Sequence, residues 1–505
     1  MLSFLFYIFY IVIFSAAICT IWWYIRIPSN LPPGPIGLPL IGSSLNTWRA
    51  SKLAHQLRDW TKVYGPIYKL YVADKLVVVL GDWNVIQEAL VKQGDIFASR
   101  PQLNVISPDE FKPGTGLVNS DGELWKTQRR FALSTLRDFG FGRPILEPKI
   151  KDEAEYLCEE IAAQNGQPFD LATLLNNAVS NVICDLVFGR RFKYDDERFH
   201  ELLRVLRSRL TETDVSVMTP FIISKRAGKI LGLLPQVKKF TNLGGNVARF
   251  SRKEIAETMK DFDPVRDEAT NYVQAFYKAQ HEGKGDWTFT DDQLLTSVFN
   301  LFVAGTDTTA TTLRWAIFYL AQNPEWQEKV YGEINRETAG SQSTLLNFAD
   351  RTRLPFTEAA IMETQRLANL APLGVLRRTT ASCKVSGYDI PADTVVVPLL
   401  TAVLWDEKVY PNPKIFDPNR FLNISKNGEK SPELTHLIPF SAGKRICLGE
   451  SLARMELFIF FAALVSKFKF TFSPAESNPG ADDEKISFIR APPQYKICAV
   501  KRAEQ

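Results

Sequence analysis

The first residues of the chain are almost continuously apolar. From Met1 to Ile25 no side chain is charged, and Leu, Ile, Phe and Val predominate. As a helix this run extends about 37 Å, enough to cross a hydrocarbon layer of roughly 30 Å with some tilt. Trp22, Trp23 and Tyr24 close it where an interfacial aromatic belt would lie, and Arg26 follows. No Lys or Arg precedes the run, so the positive-inside rule puts the remaining chain in the cytosol. A cleaved signal peptide is the competing reading; the missing basic n-region and the length of the run weigh against it. We therefore expect a single-pass anchor over residues 1–26. Next comes Leu31-Pro32-Pro33-Gly34-Pro35-Ile36-Gly37-Leu38-Pro39, whose prolines remove donors and hold the backbone extended. This reads as a stiff linker over residues 27–45.

Behind the linker the pattern becomes that of a mainly helical protein with small sheets. Ile67 to Leu80 alternates and is rich in Val and Tyr, as in a small sheet. A second strand-like region runs from Lys384 to Pro398, with a turn near Gly387 and Pro391. Helical periodicity dominates from about residue 120 to about 370, and again after Glu450. No Pro/Gly/Ser-rich segment divides residues 46–505, which read as one large domain. Within it, Thr290-Asp291-Asp292-Gln293 has the form of a capping box, and Pro324 marks the far end of the same helix. A helix of that length exceeds the usual three turns several-fold and is expected to span the domain. Midway it carries Ala304-Gly305-Thr306-Asp307-Thr308-Thr309, residues poorly suited to a helix interior. Threonine hydroxyls there bond the carbonyl one turn back and distort the backbone locally.

Composition narrows the classes of function. Hydrophobic residues make up 45% of the 505, so a sizeable core is available, and a net charge of +4 is too small to imply nucleic acid. Six cysteines contain no Cys-x-x-Cys pair, so neither a zinc site nor a disulfide framework is suggested, and the pattern suits a reducing compartment. Only four histidines occur, and no two are close in sequence; His436, near Cys447, has no neighbours that suggest ligation.

One cysteine has unusual company. Phe440-Ser441-Ala442-Gly443-Lys444-Arg445-Ile446-Cys447-Leu448-Gly449-Glu450 places Cys447 after a glycine turn and before a helical pattern. A buried structural thiol is the commoner reading of a lone cysteine, but it needs none of these neighbours. A thiolate on haem iron does: it must be deprotonated, with its basicity restrained by nearby donors. Backbone N–H groups of Leu448, Gly449 and Glu450 at a helix start favour negative charge at the sulfur. Gly443 permits the tight turn, Gly449 removes a side chain where backbone approaches the ring, Phe440 can cover the sulfur, and Arg445 can pair with a cofactor carboxylate.

This stretch resembles the cysteine-ligand loop of the cytochrome P450 superfamily, the haem-thiolate monooxygenases. Four further segments are similar to that family's motifs, in its order. Ala304 to Thr309 resembles the oxygen groove, which implies that Ala304 and Gly305 bring the helix over the cofactor while Asp307 and Thr308 relay protons. Glu363-Thr364-Gln365-Arg366, with Arg420 from Pro418-Asn419-Arg420-Phe421, matches a buried structural trio that braces the ligand loop. Trp125-Lys126-Thr127-Gln128-Arg129 matches a Trp-x-x-x-Arg that binds a haem propionate through both Trp125 and Arg129. Arg377 is the propionate candidate from the segment after the Glu-x-x-Arg helix, with Arg378 a close rival. The Pro-Pro-Gly-Pro linker is similar to that of microsomal members.

The resemblance implies a haem-thiolate fold behind an N-terminal transmembrane helix, with haem b ligated by Cys447. It implies a monooxygenase that inserts one oxygen atom from O2 into a lipophilic substrate. Nothing in the chain resembles a flavin or nicotinamide domain, so electrons from NADPH are expected through a flavoprotein, NADPH-cytochrome reductase, with cytochrome b5 as a second donor. Lys126, Arg130, Arg137 and Lys444 are candidate cations for that docking. Substrate contacts are expected from Leu301, Ala304 and Thr308, and more weakly from Val375 and Ser487-Phe488-Ile489. The expected location is the endoplasmic reticulum membrane, in contact with lipid, with the catalytic domain cytosolic. Two rivals are a haem-thiolate isomerase or dehydratase needing no external electrons, and a non-catalytic haem-binding membrane protein.

Overall fold

The protein is described by a computed structural model covering residues 30–38, 41–43, 52–101, 111–211, 223–231, 233–283, 286–339, 345–422, 425–426, 429–474 and 484–502, with single positions 7, 14, 219 and 480. Apart from positions 7 and 14, the anchor expected over residues 1–26 lies outside the described residues. Among the described residues the helix long and apolar enough to cross a membrane is Leu171–Phe188, and 83% of it is buried within the protein. It is a core helix. Helix predominates and the sheets are small, as the periodicity implies.

Two compact units share the chain, one from 1–105, 215–237 and 373–402, the other from 106–214, 238–372 and 403–505. The first contains a four-stranded sheet of β1 (Ile67–Val72), β2 (Lys75–Leu80), β3 (Arg377–Arg378) and β4 (Val395–Pro398), in the order β1-β2-β4-β3. Alternation and β-branching predict β1 and β2, which pair antiparallel with Ile67 opposite Leu80. β2 pairs parallel to β4, with Val77 opposite Val395, and both are mainly buried valine runs, as a parallel pair covered on two faces requires. Helix α1 (Leu53–Tyr64) is tied to β1 where Tyr68 Oη donates to the Leu57 carbonyl at 2.7 Å. The turn expected near Gly387 closes a hairpin of Cys383–Val385 and Tyr388–Ile390 through Ser386 and Gly387, with φ of 50° and 83°.

The second unit holds helices α2 (Gly122–Asp138), α3 (Glu147–Ala162), α4 (Leu171–Phe188), α5 (Asp291–Gln322), α6 (Pro324–Thr338), α7 (Pro355–Ala368) and α8 (Glu450–Lys467). At 32 residues α5 is about 48 Å long. It packs against α4, α7 and α8 and is buried nearly all round, so no polar stripe marks a solvent face. Thr290 caps it, accepting from the Gln293 N–H at 3.2 Å. The Gln293 side chain does not complete the capping box. It accepts instead from the Gly116 N–H at 2.8 Å and donates to Ser297 Oγ at 3.1 Å. At the other end Asn323 Nδ2 donates to the Tyr319 carbonyl at 2.8 Å, and Pro324 opens α6. One apolar cluster from Phe111 to Ala499 joins these helices, with α4, α5 and α8 as its largest contributors. Each fully buried Leu or Phe in it contributes about 1.5–3 kcal/mol.

Candidate active site

The ligand loop precedes α8 in the second unit and folds back on itself. The Cys447 N–H donates to the Phe440 carbonyl at 3.0 Å, and the Ile446 N–H to the Gly443 carbonyl at 2.9 Å. Gly443 reaches φ 76°, a conformation without penalty for glycine, and Ser441 shares it at 66°. Gly449 caps α8, and its N–H bonds the Cys447 thiol. Arg454, held by Glu450 at 2.9 and 3.0 Å, stacks over the Phe440 ring at 4.9 Å. Protein atoms crowd Cys447 on most sides, yet it keeps an accessible face. Burial pushes its pKa up most; the Gly449 N–H and Arg129 pull it down, and Glu450 pushes it up.

Beside the loop, α2 contributes the expected tryptophan and arginine. Trp125 is buried, and its indole N–H has no acceptor. One turn on, Arg129 lies 5.9 Å from that ring and donates to the Ile446 carbonyl at 2.7 Å. Arg445 also stacks on this tryptophan, its guanidinium 3.8 Å from the ring centroid. Expected to serve a cofactor carboxylate, Arg445 is committed to protein groups as well. It donates to the Ser120 carbonyl at 2.5 Å, Asp121 Oδ1 at 3.2 Å and the Val118 carbonyl at 3.4 Å. Asn300 of α5 steadies the same turn, its Oδ1 accepting from the Leu117 and Val118 N–H groups at 2.9 and 3.1 Å. No sequence pattern singled out Asn300; a buried amide within an apolar helix is the signal that was there.

Midway along α5 the residues divide between two faces. Ala304 is exposed, and Val303, Gly305 and Thr308 are partly so, within a stretch of the helix that is otherwise buried. Thr308 Oγ1 donates to the Ala304 carbonyl at 2.7 Å, and Thr312 Oγ1 to the Thr308 carbonyl at 2.8 Å, the back-bonding expected of threonines here. Asp307 points elsewhere. It is buried against α4, accepts from Asn176 Nδ2 at 3.3 Å, and its other oxygen has no partner. Burial raises its pKa to about 7, although Arg207, Arg314 and Asn176 pull the other way. A Cβ at Gly305 would meet Ile183 of α4 at 3.1 Å, so its missing side chain also lets the two helices pack closely.

The bracing trio forms as expected. Arg366 Nε and Nη2 donate to Glu363 at 2.7 and 2.8 Å with both side chains fully buried, and Arg420 lies 3.5 Å from the same carboxylate. Arg366 also donates to the Leu404 and Pro413 carbonyls at 3.0 and 2.8 Å, and Glu363 accepts the Asp417 N–H at 3.0 Å. Arg377 and Arg378 belong to the first unit. Arg378 is committed to the Arg100 carbonyl at 3.0 Å, Ser99 Oγ at 2.8 Å and Asp393 at 3.1 Å; Arg377 is buried in β3 opposite Val396. Leu301, Ser487 and Ile489 are buried in the second unit, and Val375 is exposed in the first. The His436 ring bonds the Pro432 carbonyl at 2.8 Å.

These residues fit a haem. The buried Trp125 indole N–H lacks an acceptor next to a cationic Arg129, as a site for a propionate would. Cys447 offers a thiol with one open face, and Ala304 presents a small side chain on a helix otherwise closed. Among the described residues no cluster of three His, Cys, Asp or Glu offers an alternative metal site.

Comparison with known proteins agrees. The sequence profile of the Cytochrome P450 family matches residues 32–499. Cytochrome P450 2J1 of Oryctolagus cuniculus is 38% identical over 490 residues, 95% of this chain and 93% of that protein. Cytochrome P450 2H2 of Gallus gallus is 36% identical over 481 residues, 93% and 94% of the two chains. Cytochrome P450 2C23 of Rattus norvegicus is 36% identical over 493 residues, 96% of each. Members of this family are monooxygenases built around a cysteine-ligated haem b. With the profile spanning nearly its whole length and relatives of this similarity covering more than nine-tenths of it, the chain belongs to the cytochrome P450 family.

Proposed function

We propose that this monooxygenase acts on a lipophilic substrate with electrons from NADPH delivered by a flavoprotein reductase, and that Cys447 is its iron ligand. Residues 46–505 form the catalytic domain, held at the endoplasmic reticulum membrane by residues 1–26, and cytochrome b5 serves as a second donor. When bound, the thiolate-ligated haem supplies oxygen activation and insertion of one atom into a C–H bond or alkene. The chain's own residues do the rest. Gly443 and Ser441 set the loop that presents the sulfur, and the Gly449 N–H restrains its basicity. Phe440, backed by Arg454, keeps water from that side. Trp125 and Arg129 take one propionate, and Arg377, with Arg378 its rival, is the further propionate candidate. Arg445 stacks on Trp125 and holds its indole in place for that contact.

Proton handling carries the reading. Thr308 places a hydroxyl on the same accessible face as Ala304, and a buried acid with a pKa of about 7 is its neighbour in the chain. A group with that pKa gives and takes a proton with equal ease near neutrality. Asp307 is turned towards Asn176, so we assign it the reservoir and Thr308 the final donor. The apolar Leu301 and Ile489 favour an apolar substrate. The decisive experiment reconstitutes the protein with reductase and screens lipophilic substrates for product mass. The Thr308→Ala variant is expected to consume NADPH at a similar rate while releasing peroxide in place of product. Intact coupling in that variant would remove the assignment.

A further inference from the structure

A buried arginine outside the bracing trio has no part in the reading above. Arg490 lies on the return strand of a small hairpin, in which Lys485–Ile486 pairs antiparallel with Arg490–Ala491. The Ser487 N–H donates to the Ile489 carbonyl at 3.1 Å and closes the turn round Phe488. So short a ribbon does not hold its place unaided. Arg490 supplies the anchorage. Its N–H donates to the Leu370 carbonyl at 2.8 Å, and its carbonyl accepts from the Trp315 indole N–H at 3.1 Å. Its Nη1 donates to the Leu367 and Ala368 carbonyls at 2.8 and 2.7 Å, and its Nη2 lies 3.5 Å from Glu484 Oε2. Those carbonyls end α7, where no helical N–H reaches them and a positive charge complements the helix dipole. The guanidinium also lies 4.4 Å from the Trp315 ring centroid and 5.0 Å from that of Trp405. Trp315 in turn stacks on Tyr319 at 5.1 Å, and Tyr319 on Phe416 at 5.2 Å. The Arg490 and Glu484 side chains are both buried. Such a pair adds little net stability over apolar packing, but its bonds have direction.

The anchorage fixes where the hairpin sits. Leu301, Thr308 and Trp315 are each seven residues apart and so share one face of α5. Trp315, two turns beyond Thr308, ties the hairpin to α5 at the residue next to Ile489. Leu367 and Ala368 tie the same residue to α7. We propose that Arg490 is a positioning residue for substrate: it locks the hairpin so that Ser487, Phe488 and Ile489 form an unyielding wall beyond Thr308, and this wall limits the length of substrate that fits. The inference rests on the reading of Ser487, Phe488 and Ile489 as substrate contacts.

Spectral titration of the haem-loaded, full-length protein with 1-alkylimidazoles of increasing chain length tests it, because the ring nitrogen binds iron while the tail explores the pocket. In the parent, affinity should rise about fourfold per added methylene until the tail meets the wall, and then stop rising. Ile489→Ala should move that break to longer tails. Arg490→Met combined with Glu484→Gln removes the anchorage without leaving a buried carboxylate unpaired. Trp315→Phe removes the bond to the Arg490 carbonyl and keeps a ring beside the guanidinium. Both should abolish the break, leave the shortest imidazoles bound as in the parent, and quicken amide exchange at residues 487–490 at least about tenfold. A general loss of stability would instead weaken every member of the series alike. If Ile489→Ala leaves the break in place, the hairpin does not face the substrate, and the contact reading falls together with the inference. If Ile489→Ala moves the break but neither other variant does, the inference alone falls. A parent series without a break, or a break lost while exchange stays slow, also overturns it. Should the double variant fail to retain haem, Trp315→Phe gives the same comparison.

Discussion

Replacing Asp307 by Asn should change stability in a way that depends on pH. The folded protein buries this carboxyl completely, and its pKa rises from 3.8 to about 7. In the unfolded chain it ionises near 3.8, so between the two values the folded state holds a proton that the unfolded state has lost. Stability therefore falls as pH rises through that window, by about 1.4 kcal/mol per pH unit. The full cost, reached above pH 7, is about 4 kcal/mol, of which under half is present at pH 5. Asparagine carries no such cost at either pH. The difference in unfolding free energy between Asp307→Asn and the parent should thus move in favour of the variant by about 3 kcal/mol from pH 5 to pH 8. Denaturant unfolding of both haem-loaded proteins at the two pH values measures it. A difference that stays constant would refute the reasoning, because it would mean that Arg207 and Arg314 keep the carboxyl ionised throughout.

Two further outcomes follow from single contacts. Trp125→Phe removes the unaccepted indole N–H together with one ring of the indole, and haem transfer to an apoglobin scavenger should quicken at least about tenfold, the worth of one hydrogen bond to a charged group at the low end; an unchanged rate would separate Trp125 from the propionates. Arg366→Leu leaves Glu363 buried without its bidentate partner and should cost about 3–5 kcal/mol by denaturant unfolding, with part of the loss recovered when Glu363 is replaced by Leu as well. A loss below about 1 kcal/mol would mean that the pair behaves like an exposed one.

Local chemistry made much of this protein legible in one dimension. The ligand loop is a run of neighbours whose turn, helix start and thiol act within a few residues, so Phe440 to Glu450 could be read directly. The strands Ile67–Val72 and Lys75–Leu80 follow from alternation, the long helix from its cap and its closing proline, and the Glu363–Arg366 pair from spacing on one helix face. What residues do across distance was not legible. Glycine at 305 also lies against a neighbouring helix, because the packing of α4 sets Ile183 against it, and no pattern along the chain shows that. Arg445 can pair with a cofactor carboxylate, but its bonds to residues 118–121 depend on the return of that segment to its side, which no local pattern shows. Asn300 and Asn176 gain their meaning from partners on other elements, reached through side chains whose direction no periodicity specifies. Sequence by itself determined the elements, the ligand and the class of chemistry, because turn, cap and thiol act through bonded neighbours. Tertiary structure alone decided which face of α5 carries the hydroxyl and which the acid, because burial and pairing depend on the helices packed around it.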